Sequence, residues 1–317
     1  MTGDPLDGKL DAARVPWIFL SLGYFALLVV VLLASLPLPF SYNYRDEILD
    51  LSGAYRVLKG QVPHNDFQST LGMFAYLILA LPAKFFGITA NLFVYAKIIV
   101  LVFVFFLSWF LSITRMSRWE SCLLTIFLGS MIFLPRYMKI GDIGHAFLYH
   151  RIGYPFLSLI IIESLIRPLR GGKYYELLSG LFSGILLFML ILIKPTLFLI
   201  GLFSILLGYF ILERCLYRSF GLLLGLLFGF LIFSLYLDFR FTPFIRDFLL
   251  ASDLRNGDVS NIIFRAFRRR TFIEQYVLIF FIGYLLIRTP NSFRISSRYT
   301  FSNALVFIFL LFSEIFL

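Results

Sequence analysis

The sequence predicts an all-α fold, a polytopic bundle of about nine transmembrane helices with one re-entrant or juxtamembrane helix. Of the 317 residues, 60% are hydrophobic and 15% are charged, and the mean hydropathy is +0.90. Soluble chains average about 25% charged residues, so a soluble domain does not have this balance. The 40 phenylalanines suit lipid-facing surfaces and interfacial belts. A single integral membrane domain, residues 1–317, is therefore expected.

Long apolar blocks mark the candidate spans, because roughly 20 apolar residues cross about 30 Å of hydrocarbon. These blocks are residues 17–36, 92–113, 120–134, 152–166, 177–193, 196–212, 221–237, 276–287 and 301–317. A further block, residues 71–87, is interrupted by Pro82 and Lys84. Short apolar segments of this kind can be re-entrant or interfacial, so the basic residues of the loops decide whether this block crosses, and they favour a non-crossing helix.

The basic residues of the short loops orient the bundle. If residues 71–87 do not cross, these loops share the cytoplasmic side with the tail, residues 1–14. The basic residues concerned are Arg115, Arg118, Arg167, Arg170, Lys173, Arg214, Arg218, Arg288, Arg294 and Arg298. Residues 37–90 then form an outer loop with juxtamembrane helices, and the basic loop 238–275 lies outside as an exception. Since mid-span charges are nearly absent, chemistry is expected at the outer face, with the protein in the cell membrane.

Two adjacent carboxylates follow the first apolar block, in Tyr44-Arg45-Asp46-Glu47. Burial would raise the pKa of such a carboxyl and make it useful as a base, whereas full exposure would leave an ordinary solvated acid. The near-helical spacing of Leu49, Leu51, Tyr55 and Leu58 predicts two short helices between residues 41 and 72. We expect them to lie along the outer membrane surface and to cap a cavity.

No metal or cofactor site is predicted, although a divalent cation is left open. His145 and His150 stand five residues apart near Asp142, whereas helical metal pairs usually stand four apart on one face. No Walker sequence or dinucleotide fingerprint is present. A nucleotide-sugar donor is accordingly less favoured than a lipid-linked one.

The order of features resembles that of the lipid-dependent membrane glycosyltransferases of GT-C fold, which include protein O-mannosyltransferases and the aminoarabinose and lipopolysaccharide-core sugar transferases. The matching motifs are Tyr44-Arg45-Asp46-Glu47, Leu58-Lys59-Gly60-Gln61-Val62-Pro63, Asn65-Asp66-Phe67, Gly72-Met73-Phe74-Ala75-Tyr76 and Phe85-Phe86-Gly87. The resemblance is best over residues 46–118 and extends more loosely to His150-Arg151-Ile152-Gly153 and Lys194-Pro195. Beyond Gly221 only hydropathy is shared.

This resemblance implies a hexosyl- or pentosyltransferase that uses a polyprenyl-phosphate sugar donor at the extracytoplasmic face. Asp46 matches the family's base, Glu47 is its neighbour in the motif, and Asp66 matches a second acidic position. Many relatives carry Lys-Pro-Pro near there, where this chain has Gln68-Ser69-Thr70-Leu71-Gly72. The candidates for the phosphate contact are therefore Lys59, Arg136, Lys139, His150, Arg151 and Lys194. The expected partners are the lipid donor, a glycan, lipid or protein acceptor, and membrane lipids, but no nucleic acid.

Two other classes fit the same pattern. The first is a transporter or flippase of lipid-linked intermediates, for which the arginines at 265 and 268–270 would hold the lipid phosphate. Anchoring to anionic headgroups is the simpler role of that segment. The second class is a polysaccharide ligase or polymerase. Because the chain stops inside the apolar block 303–317, a fragment or a shortened family member is expected.

Overall fold

Ten helices form the part of the protein that the computed structural model describes, which is residues 15–34, 36, 44–69, 72–116, 118–133, 148–166, 168, 172–211 and 216–253. They are α1 Val15–Ala34, α2 Tyr44–Leu58, α3 Phe74–Phe86, α4 Leu92–Arg115, α5 Arg118–Phe133, α6 Leu148–Leu165, α7 Lys173–Ile193, α8 Pro195–Ile211, α9 Leu216–Tyr236 and α10 Thr242–Asp253. The predicted all-helical class is confirmed over these ranges, which contain no strand.

Three of these helices are long and apolar enough to cross a membrane, over Leu92–Leu111, Lys173–Ile193 and Leu216–Tyr236. The protein is therefore a helical membrane protein. Shorter apolar helices occupy Leu20–Ala34, Phe74–Phe86, Glu120–Ile132 and Pro195–Phe210. The number of nine spans stays a prediction, and two of its blocks, 276–287 and 301–317, lie outside the described residues.

Helix α3 is too short for an unaided crossing. Its 13 residues rise about 20 Å at 1.5 Å each, against about 30 Å of hydrocarbon. Pro82 lies inside the helix, and Phe85 and Phe86 near its end are exposed. These properties fit the re-entrant or juxtamembrane role predicted for residues 71–87, a role that itself stays a prediction.

Over the described residues 44–69 the chain forms one helix, so the prediction of two short helices between residues 41 and 72 is wrong there. Helix α2 ends where Gly60 takes a φ of +82°, a left-handed conformation that terminates helices. The chain then closes on itself, because the backbone N–H of His64 donates to the carbonyl of Phe67 at 2.8 Å. Residues 59–69, here called the turn segment, therefore make turns in place of the second helix.

The helices from α4 to α9 alternate in direction and so give the bundle two ends. One end, here called the motif end, contains the start of α6 and the ends of α5 and α7. There Arg151 Nη1 donates to the carbonyl of Met131 at 3.2 Å, and Gly153 packs against Ile193. At the opposite end, Arg115 of α4 and Arg218 of α9 both reach Glu163 of α6.

Glycines let α7 and α9 pack backbone to backbone. Gly180 and Gly184 face α9, and Gly221 and Gly225 face α7, so each helix presents two glycines four residues apart. A Cβ atom added at any of the four would collide with backbone atoms of the other helix. Small residues at this spacing allow close helix packing where lipid supplies no hydrophobic driving force. The sequence analysis did not identify this contact.

Replacing Gly184 by alanine should destabilise the protein by about 1–3 kcal/mol, because the new methyl group meets the backbone of Leu222 and Leu226. The matched control is Gly23→Ala in α1, where an added Cβ has no atom within 4 Å. That variant should unfold at or above the wild-type temperature, since alanine favours helix. Thermal unfolding in detergent measures both, and equal midpoints for the two variants would contradict the packing described.

Candidate functional site

The first turns of α2 bury the acidic motif. Asp46 is half-buried, Glu47 is 1% exposed and Asp50 is 2% exposed. Residues three and four apart share a helix face, so Asp50 lies beside both Asp46 and Glu47. Two of these carboxyl groups, those of Glu47 and Asp50, are therefore buried, whereas Asp46 keeps part of its surface exposed.

Asp50 is a titrating group that the sequence analysis did not identify. Burial, together with the nearby negative charges of Asp46 and Glu47, raises the pKa of its carboxyl from 3.8 to about 7. Its Oδ1 atom is buried without a hydrogen-bond partner. A carboxyl that titrates near neutral pH is suited to proton transfer. The sequence signal for Asp50 was its position four residues after Asp46, which places both carboxyl groups on one face of a helix.

Basic side chains face the acidic motif from α4 and α6. Lys97, in the second turn of α4, is 2% exposed, and the charges of Glu47 and Arg151 both act on it. Arg151 is half-buried near the start of α6. The adjacent His150 packs its ring against Tyr149 and Tyr154, at centroid distances of 4.2 and 5.2 Å. Both predicted residues of α6 therefore lie at the motif end.

Lys194 separates α7 from α8 and also lies at the motif end. Its backbone is extended, and its N–H donates to the carbonyl of Leu190 at 2.8 Å, while α8 begins at Pro195. The preceding residue, Ile193, packs against Gly153 of α6. The predicted division of one long apolar run at Lys194-Pro195 is confirmed.

The structure does not bring every predicted residue to the acidic motif. Lys59 is exposed just after α2, with its Nζ 5.5 Å from the centre of the Tyr55 ring. Thirteen residues of helical rise, about 20 Å, separate it from Asp46. Asp66 is exposed, and its Oδ2 accepts the backbone N–H of Val62 at 2.6 Å, which closes the turn segment locally. Four further candidates, Arg136, Lys139, Asp142 and His145, lie outside the described residues.

Helix α10 holds the turn segment in place through Asp247. The buried Oδ2 atom of Asp247 lies 2.9 Å from His64 Nδ1 and accepts a hydrogen bond from the backbone N–H of Ser69, also at 2.9 Å. Burial lowers the pKa of His64, and its bond to Asp247 opposes that shift. Ser69 also shares a hydrogen bond of 3.0 Å with the hydroxyl of Tyr76, on which the charge of Asp50 acts. Asp247 thereby links the turn segment to the surroundings of Asp50.

A buried ion-pair network lies at the opposite end of the bundle, at the end of the apolar block 152–166. Glu163 of α6 accepts bonds from Arg115 Nη2 at 3.0 Å and from Arg218 Nη2 at 2.6 Å. The hydroxyl groups of Ser179 and Ser183 also donate to it, at 2.6 and 2.7 Å. Arg115 and Arg218, assigned from sequence to short cytoplasmic loops, are buried, and Glu163 is the partner that each of these charges requires inside an apolar bundle.

Comparisons with protein-family models, curated proteins and solved structures give no match. The class that the fold defines is a helical membrane protein with a charged, buried site at one end of its bundle. Within the described ranges, no group of three or more His, Cys, Asp or Glu side chains is arranged to hold a metal ion.

The raised pKa of Asp50 makes stability depend on pH. The folded protein keeps this proton up to about pH 7, whereas the unfolded chain loses it near pH 3.8. The free energy of unfolding should therefore fall as pH rises through that window. Asp50→Asn should remove this pH dependence of the free energy of unfolding, and the variant should be more stable than wild type above pH 7. Thermal unfolding across the window measures this.

The control is Asp238→Asn, because Asp238 is exposed and has a φ of +50°, which asparagine tolerates. It should retain the wild-type pH dependence. If Asp50→Asn keeps the same pH dependence as wild type, the assignment of the titrating group to Asp50 is wrong.

Proposed function

We propose that this protein transfers a sugar from a polyprenyl-phosphate donor to an acceptor hydroxyl at the motif end of its helical bundle. The observation that carries the proposal is that the buried carboxylate of Glu47 in α2 and the guanidinium of Arg151 in α6 both act electrostatically on Lys97 of α4 at that end. Glycosyl transfer from a lipid phosphate needs a base near the incoming hydroxyl and cations near the departing phosphate. The described residues supply both kinds of group.

Asp46 is the proposed base because it is only half-buried, unlike the two neighbouring acids on the same face of α2. An acceptor hydroxyl can reach it, whereas Glu47 and Asp50 are 1% and 2% exposed. In the proposed step the acceptor proton moves to the Asp46 carboxylate while the acceptor oxygen bonds to the anomeric carbon. The bond between that carbon and the phosphate oxygen breaks, and its electron pair stays on the phosphate.

The neighbours of Asp46 have supporting roles in this proposal. The negative charge of Glu47 acts on Lys97, so in this proposal Glu47 stabilises the cationic side of the site. Asp50 stands one helical turn from Asp46 and is suited to hold a proton near neutral pH. His150, Arg151 and Lys194 line the end where the donor phosphate would lie. The extracytoplasmic location of this end follows from the basic-loop pattern and belongs to the same proposal.

A transporter or flippase of lipid-linked intermediates is the second candidate. Buried ionisable side chains within apolar helices, such as Lys97 and Glu163, are typical of substrate or ion pathways. The hydrogen bonds that saturate Glu163 favour a structural role for that residue. A flippase should tolerate neutralisation of Asp46, which separates the two functions experimentally.

Asp46→Asn should lower the rate of sugar transfer about 10²–10⁴-fold, because it removes the base while keeping the size of the side chain. Glu47→Gln should lower it less, and Asp66→Asn, which removes the charge but keeps an oxygen that can accept the Val62 N–H, should fall between the two. The assay is transfer from a polyprenyl-phosphate sugar in liposomes, scored beside donor binding. Asp46→Asn should still bind the donor, since basic residues recognise the phosphate.

The control in this assay is again Asp238→Asn, which should turn over like wild type. Full turnover by Asp46→Asn would rule out its role as the base. Equal loss of binding and turnover would instead assign Asp46 to lipid binding or to structure.

A further inference from the structure

Helix α10 carries apolar side chains on the face that points away from the rest of the protein. Ile245, Leu249 and Leu250 are 55%, 62% and 41% exposed. They share one side of the helix, since they stand four and five positions apart. Arg246 on the same side is exposed as well. Contiguous exposed apolar surface of this kind marks a contact with a membrane or with another protein.

The opposite face fixes α10 against the bundle. Phe241, just before the helix, stacks on Phe230 of α9 at a ring-centroid distance of 5.5 Å, and Phe244 contacts Phe233 of α9 at 5.0 Å. One turn later, the buried carboxylate of Asp247 accepts a hydrogen bond from the turn segment. These contacts direct the exposed apolar side chains outward.

The length of α9 sets the level of α10 in the membrane. The 21 residues of α9 rise about 31 Å, which matches the roughly 30 Å of hydrocarbon. Because Arg218 near its start lies at the opposite end, Tyr236 at its end marks the membrane boundary at the motif end. Phe230 and Phe233, on which α10 packs, lie within about 9 Å of that boundary. Interfacial helices lie at a similar depth, about 5–10 Å.

Two further contacts keep α10 at that level along its length. The side-chain amide of Asn65 donates to the carbonyl of Leu237 at 3.0 Å, so the turn segment lies level with the end of α9. Asp247 in turn lies 2.9 Å from His64 of the same segment. Both halves of α10 therefore stay near the membrane boundary. Its 12 residues, about 18 Å, are too short to cross.

The lipid-facing surface of α9 continues onto α10. Phe230, which stacks on the start of α10, is itself half exposed, and Phe239 between the two helices is exposed. The charges beside this surface suit lipid headgroups, since Arg240 and Arg246 are exposed together with one acid, Asp238. An arginine at such a boundary keeps its stem among acyl chains and extends its guanidinium to the phosphates.

We propose that α10 is docked in the membrane plane at the motif end, with Ile245, Leu249 and Leu250 in the acyl boundary of the bilayer and Arg246 at the phosphates of the lipid headgroups. The proposal does not rest on the proposed function, and it holds for a transferase and for a flippase alike. Since Asp247 on the inner face holds the turn segment, this helix joins the membrane surface to the neighbourhood of the acidic motif.

Electron paramagnetic resonance of single spin labels in lipid nanodiscs tests this placement. The labels are attached at Leu249→Cys or Ile245→Cys, in the full chain with Cys122 and Cys215 replaced by serine. Relaxation of each label by oxygen, which concentrates in hydrocarbon, is compared with relaxation by a water-soluble nickel chelate. Both labels should have an oxygen-to-nickel ratio several-fold above that of a water-side reference.

Two positions elsewhere in the chain calibrate this ratio. Leu227→Cys, exposed in the middle of α9, is the hydrocarbon reference, and Lys173→Cys, exposed at the start of α7, is the water-side reference. A ratio at α10 equal to that at Lys173 would overturn the proposal. Protection from both reagents would overturn it too, because protein would then cover the face, and dipolar broadening between labels would identify a second copy of the chain. The two α10 positions are independent, so either one decides the matter if the other variant does not fold.

The charge of Arg246 gives a second, directional test. Arg246→Glu should lower the oxygen-to-nickel ratio of the label at Leu249→Cys about twofold or more, because headgroup phosphates repel a carboxylate and push the helix toward water. Arg246→Lys keeps the positive charge and should leave the ratio close to that of the parent chain. An unchanged ratio in Arg246→Glu would overturn the assignment of Arg246 to the lipid headgroups.

Discussion

The buried carboxylate of Glu163 is the constraint on which the arrangement of the helices depends. Two arginines and two serines converge on it from α4, α7 and α9, and all five side chains are buried. In an apolar bundle none of these charges can be left unpaired without a penalty of several kcal/mol. The pairing therefore fixes the rotation and the depth of four helices at one end. The glycine contact between α7 and α9 then brings two of them to backbone distance.

Rigid helices transmit that constraint to the motif end. Helices α4 and α6, held by Glu163 at one end, present Lys97 and Arg151 at the other. Helix α7 ends beside α6 and places Lys194 there as well. The acidic motif reaches the same place through α2, because Gly53 packs against the ring of Tyr76 in α3. The candidate site is thus built from helix ends, while the Asp247 contacts of α10 hold the adjoining turn segment.

Composition and hydropathy were sufficient to predict the helical membrane class, the break at Lys194-Pro195 and the short helix at residues 71–87. They were not sufficient for contacts that depend on which helix faces which. A lone acid in an apolar block, Glu163, has no identifiable partner until the fold brings Arg115 and Arg218 to it. Burial of Asp50 likewise depends on the packing of α2 against α3. Each residue nevertheless carried a local signal in the sequence. Glu163 is a charge inside an apolar run, and Asp50 is an acid one helical turn beyond Asp46.

A distance measurement across the motif end most directly tests the central claim that Glu163 positions the candidate site. Spin labels at the exposed residues Leu49 of α2 and Leu199 of α8, in a chain with Cys122 and Cys215 replaced, report the arrangement of the motif end. Electron–electron double resonance should give one narrow distance distribution when Glu163 is present. In Glu163→Gln protein that still elutes as a single species, the distribution should broaden and shift. An unchanged, narrow distribution in Glu163→Gln would contradict the claim that this carboxylate positions the site.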